Sequence, residues 1–295
     1  MLGLAAAAAQ PSVILTIDPS HQLVEGVATD GSTIFVSSVL DRQILACQKS
    51  CRTIATLPEP LHPLGITWER KLLWIAADCP DVAGITKCEQ GALVALSPTG
   101  QVRARFAPKG VPFHPGDVSA ARSSIMVSDS QSGLVWALLP RRKGLTAINR
   151  PGDGKSAQGT ALAPTGTSVI VADYSRGIGS IDLKTTATTW LPKPDGKPSQ
   201  GIDGLVRCGE TYFGVYNGGA IPPRIYRYRI RPGGIDRDEL IPGFTLPDAT
   251  QIAFDGRRLL AVVDSGWDAI GKGARSRAAG ARIISIPLSP NCEPL

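Results

Sequence analysis

The chain has 295 residues, a formal net charge of +6, and 43% hydrophobic against 19% charged residues. That balance excludes a disordered chain, and no apolar run reaches the roughly 18 residues that a membrane-spanning helix needs. Gly 32 and Pro 24 far exceed average usage and break helix interiors, so a helix bundle is disfavoured and a turn-rich, all-β protein remains.

The chain opens on MLGLAAAAAQ, a short apolar stretch with an Ala-x-Ala-like end, similar to the tail of a signal peptide. The positive segment of such a peptide is missing, since no Lys or Arg precedes Arg42. Residues 1–11 are therefore read as a signal-peptide remnant or disordered leader, and 12–295 as one domain. The next segment, SVILTID at 12–18, has strand character but no partner near it in sequence.

Six units then share one grammar. They begin EGVATDGSTIFVSS, LGITWERKLLWIAAD, GDVSAARSSIMVSD, QGTALAPTGTSVIVAD, DGLVRCGETYFGVYN and TQIAFDGRRLLAVVD. Each is an alternating strand, a polar or Gly turn, and a β-branched return strand. A third strand follows in every unit (RQILAC, GALVALS, GLVWALL, GIGSIDL, RIYRYRI, ARIISIPL), and most show a fourth, such as RTIATL, VRARFA, LTAIN and ATTWLP. With Val27, Ile66, Val118, Thr160, Leu205 and Ile252 taken as equivalent, the spacings are 39, 52, 42, 45 and 47 residues. These suit four-stranded propeller blades. The sixth unit lacks a fourth strand, and residues 12–18 would supply it, closing the ring and removing its exposed edges. The sequence thus predicts an all-β, six-bladed β-propeller closed by an N-terminal strand in the last blade.

The six Cys, an even number, agree with an oxidising compartment. Cys47 and Cys51 flank a hairpin turn, Cys79 and Cys88 bracket one loop, and Cys208 and Cys292 remain to pair with each other. A periplasmic or secreted protein is expected. No CxxC or paired His-Cys spacing suggests a structural zinc. The basic residues, densest at Arg141-Arg142-Lys143, at Arg227, Arg229 and Arg231, and at Lys272, Arg275 and Arg277, match no nucleic-acid motif, so no nucleic-acid partner is expected.

In a ring, the residues entering the first strand of each blade meet at the mouth of the central channel. In register these are Glu25, Leu64, Gly116 with Asp117 beside it, Gln158, Asp203 and Thr250. Three carboxylates converging there repel unless a cation or proton neutralises them, and oxygen ligands suit a hard divalent cation. The polar residue ending each second strand (Ser38, Asp78, Asp129, Asp173, Asn217, Asp264) is read first as a turn cap; Asn217 and Asp173 are also candidates for the pocket. His21, His62 and His114 precede the first strands of blades one to three, where an imidazole would serve as base or ligand. His114 ranks first as a catalytic group because it is close to Asp117. Loops 79–90, 218–223 and 265–280 would wall the pocket, with Trp267 and Arg275 holding an anionic or aromatic ligand. Trp68 and Trp74 are expected between blades.

The opening Glu25-Gly26, the amide in blade four and Asp203-Gly204 in blade five resemble the senescence marker protein/gluconolactonase family, which includes regucalcin-like lactonases and luciferin-regenerating proteins. The resemblance implies one divalent cation at the axis, held by Glu25, Gln158 and Asp203, with its identity open among Ca, Mg, Mn, Zn and Fe. Two departures stand out: Gln158 replaces the family's Asn, and Gly116-Asp117 replaces its Asn-Asp pair, so the substrate would differ from a simple sugar lactone. The expected function is a metal-dependent lactonase or esterase with Asp203, Asp117 and His114 as catalytic candidates, acting on a small molecule as a monomer. The alternatives are a periplasmic propeller that binds a ligand or protein without catalysis, and a metal-free enzyme of the strictosidine-synthase-like type that relies on an axial Glu.

Overall fold

Val27 lies opposite Val36, Ile66 opposite Ile75, Val118 opposite Val127, Thr160 opposite Val171, Leu205 opposite Gly214 and Ile252 opposite Ala261. The six positions equated by sequence are therefore equivalent in space. The computed structural model describes residues 10–82, 84–140, 142–271 and 279–294. In it the chain forms six four-stranded sheets, arranged as a six-bladed β-propeller. The leader expected at 1–11 lies, apart from Gln10 and Pro11, outside the described residues.

The inner strands are Val24–Thr29, His62–Glu69, Pro115–Ala121, Ala157–Leu162, Ile202–Cys208 and Ile252–Phe254. Five blades run outward in chain order. The sixth is completed from the other end of the chain: Ser12–Thr16 pairs antiparallel with Arg282–Pro287. Leu15 and Ile17 are buried there against Leu260, Val262 and Ile283, so the closing strand contributes to the core as well as covering an edge.

The cores lie between blades, because a four-stranded sheet with apolar residues on both faces must stack on its neighbours. Trp68 of blade two stacks on Phe35 of blade one at 5.3 Å. Trp74 faces Phe106 at 6.2 Å and packs into the cluster shared with blade three. Both tryptophans occupy the inter-blade places expected of them.

One strand was not legible. The outer strand of blade five is Gly234–Glu239, a charged sequence paired with Arg224–Arg231. The alternating arginines, which matched no motif, meet its acids. Arg227 Nε donates to Asp238 Oδ2 at 3.0 Å, Arg231 Nε to Asp236 Oδ2 at 2.8 Å, and Arg224 pairs with Glu239. Opposite charges across a ladder stand in for the usual apolar alternation.

All three expected disulfides are formed: Cys47–Cys51, Cys79–Cys88 and Cys208–Cys292. They fit an oxidising environment. Among the described residues no helix is long and apolar enough to cross a membrane.

Candidate functional site

The inner strands of blades one to five each carry a register shift just before the equivalent residue, between Val24 and Val27, Pro63 and Ile66, Pro115 and Asp117, Ala157 and Thr160, and Ile202 and Leu205. Such a bulge turns the strand and re-aims a side chain. Here it holds Glu25-Gly26, Leu64-Gly65, Gly116, Gln158-Gly159 and Asp203-Gly204. The glycines answer to crowding at the axis. A Cβ on Gly26 would lie 2.5 Å from the Leu64 carbonyl oxygen, and one on Gly159 would lie 2.1 Å from Leu205 N. The residue before Gly26, Gly65, Gly159 and Gly204 is left facing the mouth, and in blade three Gly116 itself takes that place.

Those residues line one cavity of about 400 Å³. Its walls include Glu25, Leu64, Gly116, Gln158, Asp203 and Thr250, which is every entry position predicted from the register. The loops add Pro80, Pro223, Trp267 and Asp268, and the second-strand ends add Tyr174 and Asn217. Trp267 opens a short helix, Trp267–Gly271, within the loop expected to wall the pocket. Arg275 lies outside the described residues.

Of the carboxylates that line this cavity, the two at entry positions, Glu25 and Asp203, each have an oxygen held by a side-chain N–H. The Trp267 indole donates to Glu25 Oε2. Asn217 Nδ2 donates to Asp203 Oδ2 at 2.9 Å and to the Ala249 carbonyl at 3.0 Å. With both donors spent, Asn217 Oδ1 is buried and has no hydrogen-bond partner among the described residues. The Tyr174 hydroxyl donates to the Asn217 carbonyl at 3.1 Å.

Burial governs the protonation of these groups. It raises Glu25 well above the usual carboxylate range; the charges of Asp203, Asp117 and Asp248 add to this, and the Trp267 N–H opposes it. Burial pushes Asp203 up to about 6 against the stabilising bond from Asn217. It also pushes Tyr174 up to about 12, helped by the Asp203 charge.

Asp117 stands apart. It occupies the position where the other bulges carry glycine, and its side chain fills the space that Gly65 leaves open: a Cβ on Gly65 would lie 2.2 Å from Asp117 Oδ1. It lines the channel cavity beneath the mouth, together with Gln251 of blade six, and not the mouth itself. Burial raises it to about 7, opposed by the Val118 N–H.

The histidines do not line the mouth cavity. His62 Nδ1 sits 2.7 Å from the Val39 carbonyl, and burial lowers its pKa. His114 Nδ1 lies 3.3 Å from Asp78 Oδ1, so its carboxylate partner is Asp78 and not Asp117. His21 lies 3.7 Å from Asp41. Asp129 and Asp173 behave as turn caps. Oδ1 of Asp173 accepts from Ser175 N and Arg176 N, and its Oδ2 accepts from Lys155 N and Ser156 N. That leaves Asp173 no reach into the pocket, whereas Asn217 at the same blade position points there.

Sequence reasoning missed three features of the mouth. Tyr174 follows a recognised strand end, and Asp248 sits four residues before Ile252; both could have been listed by position. Asp248 accepts from Gly266 N at 2.7 Å and Asp268 N at 3.1 Å, and so holds the Trp267 segment over the mouth. The bond from Trp267 to Glu25 joins residues too far apart in sequence for any local pattern to carry it.

The oxygen donors fit a hard divalent cation: two carboxylates, the Gln158 amide, and the unpartnered Asn217 Oδ1. Among the described residues, three ligand atoms of His, Cys, Asp or Glu gather within 4.8 Å only at Asp78, Cys79 and Cys88. Those sulfurs are joined in a disulfide, so no thiolate site exists there.

No family model matches the sequence, and no curated protein does. Solved structures do. A luciferin-regenerating enzyme superposes with a TM-score of 0.63 at 14% identity, over 93% of this chain and 94% of that one. A catalytically inactive virginiamycin B lyase from Staphylococcus aureus with quinupristin gives 0.57 at 13%, over 94% and 98%. A nidogen/laminin complex gives 0.56 at 9%, over 74% and 85%. At such identities the likeness establishes the propeller fold and nothing narrower.

Proposed function

We propose that the protein is a metal-dependent hydrolase of the gluconolactonase type, acting on a lactone or ester at the channel mouth. One observation carries this reading: two carboxylates, the buried Glu25 and the half-buried Asp203, face one cavity with two amides, and one amide oxygen there is buried with no hydrogen-bond partner among the described residues. The superposition with a luciferin-regenerating enzyme along nearly the whole of both chains supports it at the level of the fold.

Glu25, Asp203 and the amide oxygens of Gln158 and Asn217 would hold the cation. When bound, it supplies charge that offsets the carboxylates and polarises a substrate carbonyl. The chain's own groups do the rest. Trp267 and Asn217 fix the orientation of Glu25 and Asp203, which would otherwise swing apart under repulsion. Asp203, raised to about 6, is ionised at neutral pH and would take a proton from an attacking water. Asp117, raised to about 7 beneath the mouth, keeps a proton over part of the neutral range and limits the negative charge that accumulates at the axis. Pro80, Pro223 and Trp267 shield the centre from bulk water. The three disulfides support a periplasmic or secreted location for this chemistry.

The test is metal analysis of the purified protein beside turnover of a lactone and ester panel, for wild type and Asp203→Asn. One divalent ion per chain and hydrolysis in the wild type, both lost in a folded Asp203→Asn, are expected. A wild type that carries and binds no metal, and whose function is unchanged by Asp203→Asn, would replace this reading with the ligand-binding propeller.

A further inference from the structure

We propose that the face of the propeller opposite the mouth docks on an anionic lipid bilayer, leaving the mouth turned to the aqueous phase. The proposal is independent of the hydrolase reading above.

The strands of each blade are antiparallel and the first enters at the mouth. The turns between first and second strands, and between third and fourth, therefore gather at the far end of the channel. The outer turns there share a composition. Blade two has Val102, blade three Leu139, blade four Leu183 and blade five Ile230, each at or beside the far end of a third or fourth strand. These side chains are 36% to 60% exposed, and they are four of the seven large apolar side chains exposed among the described residues. Of the others, Val111 and Ile221 lie on mouth-side loops and Val13 on the outer strand of blade six.

Cations stand beside them. Arg103, Arg142, Lys143 and Lys184 are exposed on the same outer turns of blades two to four. Nearer the axis, Arg70 donates to the Ser123 carbonyl, and Arg122 Nη2 to the Pro164 carbonyl at 2.9 Å. Each of these guanidiniums thus bridges to the next blade and keeps its charge, because its partner is a carbonyl and not a carboxylate. Blade five differs, since Arg229 and Arg231 pair with Asp238 and Asp236. Asp182 beside Lys184 accepts from Lys184 N at 3.0 Å and Thr185 N at 2.7 Å, so its oxygen is engaged by its own turn. Glu69 and Glu210 add negative charge to this end, but the cations named here outnumber them.

Single aliphatic side chains on four separate tips form no groove for a peptide. They sit at equivalent places on one end of a ring, which suits a flat partner. An aliphatic tip that enters between lipid headgroups leaves water, while Lys and Arg beside it meet the phosphates. A soluble polyanion would answer to the cations alone and leave all four aliphatics in water.

The test is sedimentation of the full chain with sucrose-loaded vesicles, of phosphatidylcholine alone and of phosphatidylcholine mixed with phosphatidylglycerol. Partition onto the mixed vesicles should be at least about tenfold stronger, and high salt should weaken it. Lys143→Glu with Lys184→Glu should lower it at least about tenfold, since one cation near an anionic surface is worth roughly fivefold. Leu139→Asn with Leu183→Asn should lower it by about fivefold or more. Lys109→Glu with Lys197→Glu makes the same change of net charge on exposed mouth-side loops and should leave it within about twofold. All these positions are exposed, so folding is not at stake. No binding, equal binding to both vesicle types, equal loss in the two charge-reversed pairs, or wild-type binding by the Leu139/Leu183 pair overturns the proposal. So does binding that survives both far-face pairs and disappears on deletion of residues 1–10, which would assign it to the leader. Tight binding of heparin with none to vesicles overturns it too, and makes this face a site for soluble polyanions.

Discussion

Asn217 Nδ2 lies 2.9 Å from Asp203 Oδ2 and bonds at the same time to the Ala249 carbonyl. One amide thus ties the blade-five carboxylate to the entry of blade six, and its own oxygen is left buried. Asn217→Ala leaves both acceptors without a donor, at a cost of about 1–3 kcal/mol. Asn217→Asp sets a second carboxylate against Asp203. In metal-free protein its urea midpoint should therefore fall further below wild type at pH 8 than at pH 5. Equal losses at both pH values would mean that the Asn217 contact is packing and not charge control.

The pH dependence of the metal-free protein has a definite sign. Asp117 and Asp203 are raised from the ordinary 3.8 to about 7 and about 6, chiefly by burial. The native state therefore holds protons that the unfolded chain has already released. Stability is full below about pH 4 as far as these groups are concerned, and falls as pH rises toward 7. Melting in chelator should show a midpoint that declines from pH 5 to pH 8, with a shallower decline in Asp117→Asn. A divalent cation should restore the midpoint at pH 8. A midpoint that rises with pH in chelator would contradict the burial of these carboxylates.

The ring was legible because it repeats. Equivalent positions from Val27 to Ile252 carry the same alternation, and the register places them opposite equivalent partners. Glu25, Gln158 and Asp203 followed from that register, since a bulge at one point of the inner strands of blades one to five aims the same position at the axis. The histidines misled because they too share a position. His21, His62 and His114 all precede inner strands, yet each closes on a strand end or turn of blade one or two: Asp41, Val39 and Asp78. Position along a blade is periodic and readable; the direction of a loop side chain is set by long-range packing. The outer strand of blade five was missed for a related reason. Its pairing is written in charges, Arg227 against Asp238, and a charged alternation by itself does not distinguish a ladder from a solvated loop.

The disulfides should differ in worth. Cys208–Cys292 closes a sequence separation of 84 and Cys47–Cys51 one of 4. On the chain-entropy account the first is worth about 4.5 kcal/mol and the second about 2. The Cys208–Cys292 bond also holds the C-terminal turn beside blade five, where Glu293 bonds Arg227 and Arg229. Paired Cys→Ser variants compared by urea denaturation should show the larger loss for Cys208/Cys292. The opposite order would place the main constraint in the blade-one hairpin.

Removing residues 1–18 should destabilise the entire domain. Ser12–Thr16 is the outer strand of blade six, paired with Arg282–Pro287 from the far end of the chain. Its loss exposes a full strand edge and strips Leu15 and Ile17 from a core that also contains Val24, Val27 and Val36 of blade one. That core joins the last blade to the first, so the damage reaches Glu25, whose backbone carbonyl accepts from Thr250 of blade six at 2.9 Å. Two buried aliphatic side chains at about 2 kcal/mol each are a large part of the stability of an ordinary domain. Removing residues 1–10 leaves the strand and both side chains in place and should change little. Thermal melts of the two truncations, with metal retention measured on each, decide the matter. The longer deletion should lower the midpoint by well over 10 °C and release the cation, whereas equal melts would mean that the ring does not depend on its N-terminal strand.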